Sequence, residues 1–101
     1  MKLLTEEIKN KLPKLYANEN KKPEDIFVIC KFFNPMGSWT WYATEFDGED
    51  RFFGFVRGFE NELGYFSLIE LQSVKGPLGL GIERDRHFGK HTLAEVMEKE
   101  L

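Results

Sequence analysis

The sequence contains only one cysteine, Cys30, and its N-terminus MKLLTEEIKNKL has no apolar stretch long enough for a secretion signal or a membrane span. A single cysteine excludes an internal disulfide, and within the apolar run IFVICKFF it is expected to be a buried free thiol. Internal repeats, low-complexity tracts and linkers are also lacking. These absences predict one domain over residues 1–101, located in the reducing cytoplasm without a membrane partner.

An excess of positive charge is lacking as well. The chain has 14 Lys and Arg against 17 Asp and Glu, which gives a net charge of -3 and a pI of about 5.4. No overall positive field therefore attracts nucleic acid, so such a partner would need a local basic patch. Aromatic residues are abundant at 15%, ten of them Phe, and this is typical of a globular protein with a packed core.

Strand-like segments alternate with short turns, whereas helix signals lie outside them. The strands are predicted at 26–33, 39–46 and 51–58. Because no helix fits between them, they should form an antiparallel meander. Helices are predicted after the N-cap residues Thr5, Ser67 and Thr92. The predicted fold is therefore α+β, a single compact domain with a meander of three to four strands and short N-terminal, central and C-terminal helices.

The two faces of this sheet should differ in character. A two-residue loop of Gly48 and Glu49 would pair Trp41 with Val56, Tyr42 with Phe55 and Thr44 with Phe53. One face then carries Trp39, Trp41, Ala43, Phe52, Gly54 and Val56, and large rings beside small residues predict a core. The other carries Thr40, Tyr42, Thr44, Phe53 and Phe55, edged by Arg51 and Arg57. This second face is either a contact surface or is covered by helices.

Three chemical patterns leave further alternatives open. RFFGFVRG (51–58) resembles the RNP1 signature of RNA-recognition motifs, so bases could stack on Tyr42, Phe53 and Phe55, although the acidic pI disfavours this. The cluster Glu83, Arg84, Asp85 and Arg86 could be structural or could serve a small hydrolase, and Arg84 or Arg86 is expected to reach a carboxylate such as Glu45 or Glu70. His87 and His91 straddle Gly89, and no metal, cofactor or catalytic residue is predicted.

Most of the chain resembles a known bacterial family. The phrases WTWY, ELGYFSL and IERD, within a likeness that runs from Met1 to about His91, resemble the domain-of-unknown-function family numbered 2958. The resemblance implies a small cytoplasmic protein of the kind commonly encoded on plasmids, integrative conjugative elements and phages, without an established activity. It implies no catalytic residues, and it favours a role in mobile-element biology such as counter-defence or a conjugation accessory.

The leading expectation is a non-enzymatic, protein-binding accessory or counter-defence module. Its acidic residues would suit a basic groove on a protein partner. The candidate partner-binding residues are Tyr42, Asp47, Glu49, Asp50, Arg51, Phe53, Phe55 and Arg57. A single-stranded nucleic-acid binder is the first alternative, and a small ligand-binding or hydrolytic domain is the second. The sequence leaves the oligomeric state open.

Overall fold

The strand-forming segments build a five-stranded antiparallel sheet in a computed structural model that describes residues 1–101. The strands in chain order are β1 (Phe27–Val28), β2 (Cys30–Phe33), β3 (Thr40–Phe46), β4 (Arg51–Arg57), β5 (Asn61–Ser67), β6 (Glu83–Arg84) and β7 (His91–Thr92). The sheet order is β5-β4-β3-β2-β6, while β1 and β7 form a separate two-stranded ribbon. The predicted α+β fold with its meander is confirmed, and β5 and β6 extend the sheet beyond the three or four strands expected.

Side-chain caps begin the three helices where the sequence predicts them. The helices are α1 (Glu6–Lys11), α2 (Leu68–Ser73) and α3 (Leu93–Glu98). The Thr5 and Ser67 hydroxyls each accept a backbone N–H three residues on, at 3.2 Å, and Thr92 forms a reciprocal capping box with Glu95. These caps satisfy donors that a helix start leaves free. No helix has the length and apolar character needed to cross a membrane.

The β3–β4 register is as predicted at first and then departs from the prediction. Trp41 pairs with Val56 and Tyr42 with Phe55, but an irregularity between Ala43 and Glu45 puts Glu45, not Thr44, opposite Phe53. The expected two-residue loop is wrong, because the strands end at Phe46 and resume at Arg51 and leave 47–50 as the loop. The extra residue is absorbed as a β-bulge, which turns Glu45 toward the second face.

Both faces of the sheet are covered. The first packs Phe32, Ala43 and Phe52 against Leu3, Leu4 and Leu12 from the N-terminal segment, Leu71 of α2 and Ile82. The second packs Tyr42 and Phe55 against Ile26, Val28, Phe88 and the α3 residues Leu93 and Val96. Of the two alternatives for the second face, cover by a helix is the one found at its centre, where α3 and β1 pack on it. Trp39 and Trp41 are only partly buried, at the margin of the first face.

Candidate functional site

Strand β5 is a free edge of the sheet. It pairs with β4 in regular register over its whole length, and the bond from the Leu68 N–H to the Asp50 carbonyl (2.9 Å) shows that the even-numbered residues are the ones bonded to β4. Because bonded and non-bonded pairs alternate in an antiparallel ladder, the odd-numbered residues direct their N–H and C=O groups outward. These residues are Asn61, Leu63, Tyr65 and Ser67.

A cleft of about 310 Å³ lies on the second face, between this edge and α3, whose Leu93 is part of its lining. Leu63 and Tyr65 of β5 line one wall, so each contributes both its side chain and its outward backbone groups to the same place. Their side chains are 45% and 49% exposed. Phe53 of β4 and Tyr16 from the loop after α1 complete an aromatic lining, and Glu45 is also part of it.

Glu45 is a buried carboxylate that holds the loop over the cleft. Its Oε1 and Oε2 accept the backbone N–H groups of Tyr16 and Asn18, both at 2.9 Å. The residue is 5% exposed, and none of the three ion pairs of the structure involves it. Two N–H donors stabilise its charge without cancelling it, so the carboxylate leaves a negative charge in the cleft.

Tyr16 has the left-handed backbone conformation that a bulky residue seldom adopts, with φ at 71°. Such a conformation costs free energy and persists only where neighbouring contacts fix it, as the Glu45 hydrogen bond does here. The Tyr16 ring is 64% exposed. The proximity of the Tyr16 hydroxyl is the main cause that raises the pKa of Tyr65, and the charge of Glu45 raises it further. Both tyrosines therefore share one electrostatic environment with Glu45.

The aromatic rings of the cleft already contact one cation. Phe53 and Tyr65 lie edge to face with their centroids 5.1 Å apart. The Arg51 guanidinium carbon is 5.5 Å from the Tyr65 ring centroid, within the range of a cation–π contact. Of the eight candidate partner-binding residues, only Phe53 lines this cleft, and Arg51 lies outside the lining on the Tyr65 ring.

Three other candidate residues belong to the interior of the second face. Tyr42 and Phe55 are 1% and 4% exposed, so a partner or a base cannot reach their rings in this conformation. Arg57 lies over the Phe55 ring at 5.2 Å, and its Nη2 donates to the Val96 carbonyl at 2.6 Å. These residues are not available as the contact surface considered in the sequence analysis, because α3 packs on the Tyr42 and Phe55 rings and Arg57 donates a hydrogen bond to that helix.

The acidic loop between β3 and β4 has mainly structural contacts. The Asp47 Oδ1 accepts the backbone N–H groups of Glu49, Asp50 and Arg51 at 2.8 to 3.0 Å. The N–H of Asp50, with those of Glu49 and Arg51, holds the pKa of Asp47 below its usual value. Asp50 accepts from the Ser67 hydroxyl and from the Ile69 N–H at the start of α2. Among the three acidic residues of the loop, Glu49 is exposed and is the one whose carboxylate accepts no such hydrogen bond.

The charge cluster lies at β6, the opposite edge of the sheet from the cleft. Arg84 Nη1 donates to the backbone carbonyls of Lys2 and Leu3, so the expectation that it reaches Glu45 or Glu70 is wrong. Glu45 lies on the other face, with both oxygens engaged by the Tyr16 loop. Lys31 Nζ is 3.6 Å from the Asp85 carboxylate.

The remaining members of the cluster and the two histidines form no shared site. Glu83 is partly buried and pairs with Phe33 across the ladder, and Arg86 is exposed. His87 lies in the turn after β6, whereas His91 lies on β7 with its Nδ1 3.4 Å from the Glu95 carboxylate. No group of three His, Cys, Asp or Glu side chains could hold a metal ion. Burial raises the pKa of the Cys30 thiol to about 12 and keeps it protonated.

Sequence reasoning missed most of the cleft. Tyr16 and Glu45 are 29 residues apart in the chain, and only the bulge brings them together. The strand that carries Leu63 and Tyr65 had only a weak signal, since Leu63, Tyr65 and Phe66 suit a strand but NELGYFS has no regular alternation of apolar and polar residues. Ser67, the last residue of this strand, has a capping pattern that predicts only the helix α2.

Comparison with known proteins identifies a family for the chain but assigns no activity to it. A family model described as "Protein of unknown function (DUF2958)" matches residues 3–99. No curated protein and no solved structure matches the chain.

Proposed function

The chain belongs to the DUF2958 family, and we propose that it is a non-enzymatic protein-binding module that receives an extended segment of a partner protein on strand β5. The observation that carries the proposal is the row of outward-facing backbone groups at Asn61, Leu63 and Tyr65, beside a cleft lined by side chains of the same strand. Main-chain hydrogen bonds to an added strand supply affinity, and alternate side chains in a neighbouring pocket supply specificity.

The two edges of the sheet differ in the way that this proposal requires. Folded proteins usually protect edge strands with short length, lysine, proline or a bulge, because a free edge pairs with other chains. β6 is protected by its length of two residues. β5 has seven residues, contains neither lysine nor proline, and pairs with β4 without a bulge. A long regular edge of this kind is available for a partner strand.

A substitution on β5 tests the proposal directly. Peptides that bind the wild-type protein are first selected from a random display library. Their affinities for Leu63→Pro and for Leu63→Ala are then measured by fluorescence polarisation. Proline removes an outward N–H that β4 does not use, so the sheet should remain intact. We expect Leu63→Pro to bind at least about tenfold more weakly than Leu63→Ala, because a strand hydrogen bond is lost and the ring obstructs the added strand.

The control Leu63→Ala keeps the backbone donor and removes only the side chain, so it separates edge pairing from side-chain contact. Melting curves of both variants check that the sheet persists, and Tyr65→Pro provides a second block at the next outward N–H. Failure to select any peptide, or equal affinity of the proline and alanine variants for the selected peptides, would contradict strand addition.

We further propose that this binding serves a mobile genetic element in the cytoplasm, as a counter-defence or conjugation accessory. The support is that members of the family that the sequence resembles are commonly encoded on plasmids, integrative conjugative elements and phages. In a host that restricts an incoming plasmid, co-expression of the protein is expected to raise the frequency of plasmid establishment, and Leu63→Pro is expected to abolish the gain while Leu63→Ala retains part of it. Establishment frequencies that do not respond to the protein in restricting hosts would contradict the counter-defence role.

A further inference from the structure

We infer that the cleft beside β5 binds a basic side chain, lysine or arginine, carried by the partner segment. This inference rests on the proposed function for the segment that delivers the side chain, but the chemistry of the cleft can be tested without that segment. Three features of the cleft lead to a basic side chain as its occupant: a buried carboxylate that has no ion-pair partner, three aromatic rings, and a volume of suitable size.

The charge comes from Glu45. It is 5% exposed, and it is stabilised only by the N–H groups of Tyr16 and Asn18. Among the lining residues, Glu19 and Lys21 have opposite formal charges that cancel, so the charge of Glu45 remains. A cation that enters the cleft would gain from this carboxylate in surroundings drier than the open surface, where electrostatic attraction is stronger.

The rings of Tyr16, Phe53 and Tyr65 provide the second attraction. The face of an aromatic ring is negative and attracts lysine and arginine, and a group of such rings is a known way to select a cation over a neutral chain. Arg51 already lies 5.5 Å from the Tyr65 ring centroid, so this ring accepts a cation within the protein itself.

The geometry of the edge directs a partner side chain into this place. On an added strand, alternate side chains point to the same face of the sheet as Leu63 and Tyr65. A cleft of about 310 Å³ is at the lower end of the range for small-molecule sites, which suits one long side chain better than a complete ligand. One basic residue on the partner segment would therefore enter the cleft while its backbone pairs with β5.

The test uses small compounds that carry the side chain alone. Nα-acetyl-lysine N-methylamide and its arginine counterpart are titrated into ¹⁵N-labelled protein, with Nα-acetyl-norleucine N-methylamide as the uncharged control. We expect the basic compounds to shift the amide signals of Tyr16, Asn18, Glu45 and Tyr65, and to bind about tenfold more tightly than the norleucine compound. Equal affinities for basic and norleucine compounds, or no shift of these amides, would overturn the inference.

Matched variants assign the effect to the rings and the charge. Tyr65→Leu removes a ring from a half-exposed position and is expected to lose most of the preference for a cation, whereas Tyr65→Phe keeps the ring and should retain it. Glu45→Gln should also lose the preference, provided that its amide spectrum shows a folded chain. A full preference in Tyr65→Leu would overturn the aromatic contribution.

Leu63→Pro separates this inference from the proposed function. Because the Leu63 side chain lines the cleft, Leu63→Pro is compared with Leu63→Ala and not with the wild type. The small compounds do not need the strand edge, so they should bind these two variants alike, whereas selected peptides should bind Leu63→Pro more weakly than Leu63→Ala. Peptides that need the edge but show no preference for a basic residue would contradict the cation site alone. A preference for basic compounds, together with selected peptides that bind Leu63→Pro and Leu63→Ala equally well, would contradict strand addition alone.

Discussion

At the scale of single residues, Arg84 shows how one side chain attaches a distant segment to the sheet. Its guanidinium donates to the carbonyls of Lys2 and Leu3, whose neighbours pack on the first face. Bonds from a charged donor contribute more than neutral ones, because the charge polarises the acceptor. The side chain therefore acts as a structural link between the N-terminal segment and β6.

Replacement of this arginine tests the structural assignment. Arg84→Ala is expected to lower the free energy of unfolding by about 1 to 3 kcal/mol, since two carbonyls lose a charged donor. Arg86→Ala is the control, because Arg86 is exposed and outside the ladder, and it should stay within about 0.5 kcal/mol. Urea unfolding followed by circular dichroism measures both. Equal stability of Arg84→Ala and the wild type would contradict the assignment.

Single residues also mark where prediction from the sequence ends. Thr5, Ser67 and Thr92 were predictable as caps because a cap depends on residues three positions apart. Glu45 was not predictable, because its side depends on a bulge and its partners, Tyr16 and Asn18, lie in a remote loop. Local patterns carry local structure, whereas the cleft is assembled from distant parts of the chain.

At the scale of elements, the pairing of β4 with β5 puts two glycines opposite each other, Gly54 and Gly64. A Cβ at Gly54 would lie 1.7 Å from the Tyr42 carbonyl oxygen, which is backbone and cannot move without disturbing the ladder. A Cβ at Gly64 would meet nothing within 4 Å. The two positions therefore differ sharply although both lie in adjacent strands.

The expected stabilities follow from this difference. Gly54→Ala should lower the free energy of unfolding by at least about 3 kcal/mol, because the close approach of β3 and β4 at the bulge is lost. Gly64→Ala should leave it unchanged or raise it by up to about 1 kcal/mol, since alanine loses less conformational entropy in a strand. Thermal melting of the two variants is the measurement. Similar melting temperatures for both would show that the glycine at position 54 is not required by β3.

The central strands were largely predictable from the sequence, whereas the two edge strands of the sheet, β5 and β6, were not. The strands over 26–33, 39–46 and 51–58 agree with β1 to β4 apart from a break at Ile29, because their apolar and aromatic composition is typical of strands. β6 has two residues, too few for any period to be read. β5 was obscured by the helix cap at its end. β5, the strand that carries the proposed site, was therefore not predicted as a strand from the sequence.

At the scale of the whole molecule, the sheet is a shared wall between two apolar clusters. Cys30 lies in the first cluster at 4% exposed, and burial raises the pKa of its thiol to about 12 from 9.0. Because the unfolded thiol ionises first, the stability that comes from the protonated thiol is present below pH 9.0 and is lost as the pH rises toward about 12. Reaction of this thiol therefore reports opening of the first cluster.

Alkylation of Cys30 should be slow in the native protein. Iodoacetamide at pH 8 reacts with the thiolate, and the folded chain exposes neither the thiolate nor the sulfur. We expect the modified fraction, followed by mass spectrometry, to rise many times faster in urea or in Gly54→Ala than in the native wild type, because reaction then requires opening of the sheet. Rapid modification of the native wild type would contradict the buried position.

The covering of the second face by α3 has a consequence during synthesis. Residues 93–98 follow every strand of the sheet in chain order, so they leave the ribosome after the strands have emerged. Until then, Tyr42 and Phe55 lack Leu93 and Val96, and only Ile26, Val28 and Phe88 are present to shield them. The nascent chain therefore passes through a stage in which an aromatic surface is open to chaperones and to other unfinished chains.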